Sequence, residues 1–178
     1  PRRPVRCGGV RVVHGWGHVA DMEGVLGLGG EGGMGGVADC AHTMGAAWNG
    51  KHSGTQGRIG CFSCQTYKHI NAGEGGLLIT DDAEVAARAV LLSGSYMLYD
   101  RHAAAPGPEA FEGLRYETPN IPGRMDNLRA AVLRPQLQRL PDQVARWNER
   151  YRKIEAGLRD TPGLTVIDRP GEERLRPL

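Results

Sequence analysis

Short apolar runs set off by glycine fill the first half of the chain, and a single long apolar stripe of helical period fills the second. Val10 to His14 reads as a short strand, and Gly36-Val37-Ala38 reads as the end of another that delivers Asp39 at its tip. Arg58 to Cys64 is small and apolar enough for a buried strand, as is Gly76 to Thr80, which the acidic pair Asp81-Asp82 closes. Asp82 is then placed to cap a helix, with Glu84 in its first turn, Val85, Ala89 and Leu92 at helical spacing, and Gly94 at its end. Strands alternating with helices predict an α/β layer structure with a largely parallel sheet.

Between Gly24 and Gly36 the sequence GVLGLGGEGGMGG predicts at best a weak helix, since each interior glycine costs about 1 kcal/mol relative to alanine. From Ala103 to Pro122 four prolines and little periodicity predict an extended connection, and a boundary is placed there, dividing the chain into residues 1–115 and 116–178. Beyond it Leu133, Leu137, Leu140, Val144, Trp147, Tyr151, Ile154 and Leu158 step by 4, 3, 4, 3, 4, 3, 4 along one helical stripe. Pro135 suits the first turn of that helix and Pro141 is a candidate break. The stripe reads either as a dimerising coiled coil or as a long helix packed on a globular core. The proline and the short run favour the second. Thr165 to Ile167 is expected to begin a strand of a second domain.

Composition narrows the partners. The 178 residues carry 22 Lys+Arg against 20 Asp+Glu, a net charge of +2, which gives no electrostatic reason for a nucleic-acid or membrane-surface partner. No stretch approaches the roughly 20 continuous apolar residues that cross a bilayer, and no apolar secretory core opens the chain, so a cytoplasmic location is expected. Cys7, Cys40, Cys61 and Cys64 are too few and too uneven for a disulfide framework, so reduced thiols are expected. Cys61 and Cys64 form a C-x-x-C that, with Cys40 and His42, offers a zinc set on paper, but sulfurs in an apolar strand point poorly for joint ligation, and no metal site is expected. A redox role for the pair is weaker still, because nothing around it resembles a thioredoxin-type unit.

Two segments carry candidate chemistry. Asp39-Cys40-Ala41-His42 follows a strand end, where open α/β sheets place ligand-binding groups, although a lone Asp there is more often a cap or turn residue. Lys68 lies between two apolar strands in a stretch with few other charges. A lysine kept from water can shed its proton and attack a carbonyl.

Together the segments resemble the signature of the DegT/StrS family of pyridoxal-phosphate (PLP) sugar aminotransferases. Asp39-Cys40-Ala41-His42 with Gly45-Ala46 is similar to that family's Asp-Ala-Ala-His/Gln motif. Gly57-Arg58-Ile59-Gly60-Cys61-Phe62-Ser63 is similar to its Gly-Asp-(Ile/Ala)-Gly-Cys-Phe-Ser strand, with Arg58 the one departure. Lys68 stands five residues after Ser63, and Gly73-Glu74-Gly75-Gly76 matches the stretch that follows the family's lysine. Gly17-His18 and Ala20-Asp21-Met22 resemble its lead-in, and the similarity resumes at Asn120, Arg124-Met125 and Asn127 to Ala131, extending in all over about Gly17 to Leu158.

The resemblance implies part of the large PLP-binding domain of a fold type I, aspartate aminotransferase-like transferase in residues 1–115. Residues 116–178 would be a linker, the long helix and the start of a small domain. Lys68 would hold the cofactor and shuttle a proton, Asp39 would pair with the ring nitrogen, His42 would lie near the ring and its phenolic oxygen, and Ser63 would bond the phosphate. Asn120 would reach the phosphate of a neighbouring subunit's cofactor, although Asn120 to Met125 is two residues longer than the family's Asn-Tyr-Arg-Met. Relatives that remove a hydroxyl have histidine at the lysine position, so Lys68 implies transamination, with glutamate as amino donor, a nucleotide-linked keto sugar as acceptor, and a homodimer when full length. Family members are longer at both ends, so the chain is expected to be a fragment. A non-catalytic protein acting through the long helix is the alternative.

Overall fold

A computed structural model describes residues 9–28, 35–94, 97–167 and 172–173. In chain order the elements are β1 (Gly9–Val13), α1 (Met22–Leu28), β2 (Gly35–Asp39), the short strands β3 (Ala47–Trp48) and β4 (Lys51–His52), β5 (Ile59–Ser63), β6 (Gly76–Ile79), α2 (Ala83–Leu92), α3 (Leu114–Glu117), α4 (Asn127–Gln138), α5 (Leu140–Leu158) and β7 (Glu172–Glu173). Cys7 and residues 29–34 of the glycine-rich stretch lie outside the described residues.

The main sheet has the order β1-β2-β5-β6. β1 pairs with β2 and β2 with β5 in parallel, whereas β5 and β6 are antiparallel. The main sheet is largely parallel, as expected, with one antiparallel pairing at its β6 edge. The reason is the link: residues 64–75 contain no crossover helix and fold back on themselves, with the Cys64 N–H donating to the Gly75 carbonyl at 2.8 Å and the Thr66 N–H to the Gly73 carbonyl at 2.9 Å. A second small sheet, β4-β3-β7, is antiparallel throughout.

Glycine has a definite use in β5. A Cβ on Gly60 would stand 2.5 Å from the Gly54 carbonyl oxygen, so the strand passes that turn only without a side chain. The weak helix expected near Gly24 does form as the seven-residue α1, where Gly24 donates its N–H to Asp21 Oδ1 at 2.9 Å. Arg58, just before β5, pairs with Asp82 at 2.7 Å, and Asp82 in turn caps α2 by accepting the Val85 N–H at 3.0 Å.

The segment expected to be an extended connection instead packs back on α2. Short 3-10 turns at Tyr99–Arg101 and Pro108–Phe111 place buried Phe111 against Ala87, Val90 and Leu91. The long apolar stripe is also not one helix. It divides at Arg139, because Pro141 has no N–H to continue the ladder and sits instead in the first turn of α5, where none is needed. Pro135, expected in a first turn, lies inside α4, which starts earlier at the Asp126 cap. Leu133 reaches the core beside Met44, Cys64 and Ile70. Thr165 to Ile167 forms no strand; the pairing near the end of the chain is made by β7.

Candidate active site

Three parallel strands end at one edge of the sheet, and the turns after them make the site. β1 leads into His14 to Gly17, β2 into Asp39 to His42, and β5 into Ser63 to Lys68. This carboxyl edge is where open α/β sheets bind ligands. Backbone bonds hold the turns together: the His14 N–H donates to the Asp39 carbonyl at 3.0 Å and the Cys40 N–H to the Cys61 carbonyl at 2.7 Å.

A cavity of about 520 Å³ opens there, lined by Trp16, His42, Lys68, His69, Trp147 and Tyr151 among others. Ala41 belongs both to this cavity and to an adjoining one of about 280 Å³, which holds Arg11, Asp39, Cys61 and Ser63. Ala41 is thus common to the cavity that holds Lys68 and the one that holds Asp39.

Lys68 is half-buried in the turn between β5 and β6, with its N–H donating to the Gln65 carbonyl at 2.9 Å. The turn is anchored from the far side, where Gln136 of α4 accepts the Asn71 N–H at 3.0 Å and donates to the Asn71 carbonyl at 2.8 Å. Ser63 Oγ accepts the Gln65 N–H at 3.3 Å. His42 Nδ1 accepts the Trp16 N–H at 3.3 Å, which leaves Nε2 to carry the ring proton when the imidazole is neutral. Trp16 adopts a left-handed backbone, φ 58°, to make this contact.

Charge in the site is uneven. Asp39 Oδ2 accepts from Arg11 at 2.7 Å and Oδ1 accepts the Ala41 N–H at 3.2 Å, and the guanidinium beside it holds the carboxyl below the usual carboxylate range. His69 packs on Trp147 at 5.2 Å between ring centroids; burial pushes its pKa down, and electrostatic repulsion by His42 and Lys68 acts in the same direction. His14 is buried and also pushed down by loss of solvent, against the pull of Asp39. Burial raises the Cys40 thiol to about 11, which leaves it a poor nucleophile.

A family model described as the DegT/DnrJ/EryC1/StrS aminotransferase family matches residues 4–176. The chain belongs to that family. Among DegT-family relatives, an L-glutamine:scyllo-inosose aminotransferase of Streptomyces griseus is 37% identical over 144 residues, covering 79% of this chain and 33% of the relative. A GDP-perosamine synthase of Caulobacter vibrioides is 32% identical over 140 residues, covering 79% and 35%. A solved GDP-4-keto-6-deoxymannose-3-dehydratase with a trapped PLP-glutamate geminal diamine superposes with a TM-score of 0.74 at 25% identity, over 97% of this chain and 47% of that one. The chain spans about a third of the length of these curated relatives. The fold is that of the PLP-dependent aminotransferases of the DegT family, and PLP is the family's cofactor.

The donor set fits that cofactor in kind: an amine for its aldehyde, a carboxylate for its ring nitrogen, a hydroxyl for its phosphate, and, beside the amine, a cavity of about 520 Å³, within the roughly 300–1,000 Å³ range of small-molecule sites. Lys68 and His42 share the larger cavity, and Asp39 and Ser63 share the smaller. Asn120 lies in neither. It is exposed near Gly94 at the end of α2, where the neighbouring Ile121 N–H donates to the Leu92 carbonyl at 2.9 Å. The C-x-x-C is split: Cys61 faces the smaller cavity and Cys64 is sealed in the core, so the two sulfurs serve different sides of β5. Among the described residues no group of three or more His, Cys, Asp or Glu is arranged to hold a metal ion.

Sequence reasoning did not single out Arg11, Trp16 or His69, and it assigned Trp147 and Tyr151 only to a packing stripe. Trp16 precedes the glycine that opens the family's lead-in, and this was the one available signal. An arginine in a short strand gives none.

Proposed function

We propose that this chain supplies the lysine-bearing part of a PLP-dependent aminotransferase that moves an amino group from an amino acid to a keto sugar. The observation that supports it is the convergence of Lys68 and His42 on one cavity, with Asp39 and Ser63 across Ala41, at the shared carboxyl edge of three parallel strands. When bound, PLP supplies a carbonyl for covalent attachment and a ring able to draw off an electron pair.

The chain's own groups have distinct tasks in this reading. Lys68 Nζ holds the cofactor and, when released, accepts and returns a proton. Asp39 orients the ring through its nitrogen, Ser63 Oγ binds phosphate, and His42 Nε2 donates toward the phenolic oxygen. Asn120 serves the phosphate site of a neighbouring subunit in a cytoplasmic homodimer. The division at residues 115 and 116 separates the cofactor-binding part from the linker, long helix and small domain. Glutamate is the amino donor in this reading and a nucleotide-linked keto sugar the acceptor.

The test is amino transfer from glutamate, and in parallel from glutamine, to a panel of nucleotide-linked keto sugars and free keto cyclitols. Transfer from glutamate to a nucleotide-linked acceptor, lost in Lys68→Ala, is the expected result. Transfer to a free cyclitol alone would replace the acceptor, and transfer surviving Lys68→Ala would remove the assignment of the lysine.

A further inference from the structure

Arg11 stands on the same face of the sheet as the site carboxylate. In the parallel register Arg11 is opposite Val37 and Val13 is opposite Asp39, so positions 11, 13, 37 and 39 share one face, and Cys61, opposite Asp39 on β5, joins them. From that face Arg11 Nη2 reaches Asp39 Oδ2 at 2.7 Å. Its side chain is 69% exposed, but that of Asp39 is only 26% exposed, so the cation is borne by the rim and the anion lies inside. Arg11, Asp39 and Cys61 line the smaller cavity together with Ser63, so the ion pair lies within the site and not on a remote surface.

We propose that Arg11 is a tuning residue of the cofactor site: it shares the Asp39 carboxylate and so weakens that carboxylate's hold on a proton at the cofactor's ring nitrogen. The inference rests on the assignment of Asp39 made above. A carboxylate offers about four lone-pair sites. Arg11 and the Ala41 N–H take two of these on Asp39, which leaves room for a ring N–H. The shared anion then faces two cations, and each reduces the other's share of its field. A ring nitrogen that loses part of this support is less readily protonated, and an unprotonated ring draws electrons less strongly. The other titratable groups coupled to Asp39 are His14 at the end of β1, Cys40 and His42 in the turn after β2, and Cys61 on β5. None of them is a permanent cation, so Arg11 sets the balance at neutral pH.

The experiment is nitrogen NMR of ring-labelled PLP bound to the protein, titrated across pH in wild type, Arg11→Gln, Arg11→Met and Arg11→Lys, with reductive labelling of Lys68 as a separate readout. In both neutral variants the ring nitrogen's protonation constant should rise at least about tenfold, one pKa unit. Arg11→Lys, which keeps the charge, should stay within about threefold of wild type. An unmoved midpoint in both neutral variants, with Lys68 still labelled, overturns the role of Arg11 and leaves the cofactor site standing. Absence of a Lys68 label in wild type overturns both.

Discussion

The strand-and-turn segment from residue 35 to 80 and the helical segment from 127 to 158 solve the same problem of apolar residues in opposite ways. In the first, Ala38, Cys40, Met44, Ala46, Ala47, Cys64 and Ile70 are buried, and backbone hydrogen bonds tie one turn to the next. In the second, eight apolar positions share a stripe, yet only Leu133 and Val144 are buried, while Ile154 is 63% exposed. Periodicity therefore identifies a face, but burial depends on what the rest of the molecule lays against it. The strand ends that carry the candidate site are held on several sides. α4 contributes by pinning the lysine turn through Gln136 and Asn71, and α5 contributes Trp147 and Tyr151 to the cavity wall.

The sharpest test of that contrast uses two positions of the same stripe. Leu133→Ala, which empties a site between Met44, Cys64 and Ile70, should cost about 2–5 kcal/mol in denaturant unfolding, whereas Ile154→Ala should stay within about 0.5 kcal/mol. Equal losses would erase the distinction between the buried and open parts of the stripe. A smaller effect separates two glycines. Gly60→Ala forces a Cβ onto the Gly54 backbone and should cost roughly 1–3 kcal/mol, while Gly157→Ala in α5 meets nothing within 4 Å and should stabilise by up to about 1 kcal/mol. A neutral Gly60→Ala would mean that β5 can move away from its turn.

The gentlest probe is pH. Burial lowers the folded-state pKa of both His14 and His69, so below about pH 6.5 the unfolded chain binds protons that the folded chain refuses. Stability should be complete above that value and decline as pH falls through it, before the paired carboxylate of Asp39 begins to titrate. His14→Gln should flatten part of the decline, read as the midpoint of urea unfolding against pH. A curve of the same slope in that variant would assign the acid sensitivity elsewhere.

Much of the sheet was legible because its strands are short apolar runs that end in glycine or acid, and the Asp82 cap and the Pro141 break follow from local chemistry. The direction of β6 was not, since the sequence of residues 64–75 does not state whether the chain crosses over or turns back. The site was legible only as ordered motifs. Asp39, His42, Ser63 and Lys68 could be named from resemblance, and the fold divides them between two cavities that share Ala41. Asn120 lies outside both. Arg11 was hidden because a charged residue in a strand ordinarily marks the solvated face, and only the parallel register shows that this face is the one bearing Asp39.

The central claim is that the turn after β5 presents Lys68 to a cofactor held at the strand ends. Incubation with PLP, reduction with borohydride and peptide mapping test it most directly, with Asp39→Asn alongside wild type. A pyridoxyl label concentrated on the Lys68 peptide, and diminished in Asp39→Asn, is the expected result. Label spread over Lys51 and Lys153 as readily as over Lys68, with no response to Asp39→Asn, would contradict it.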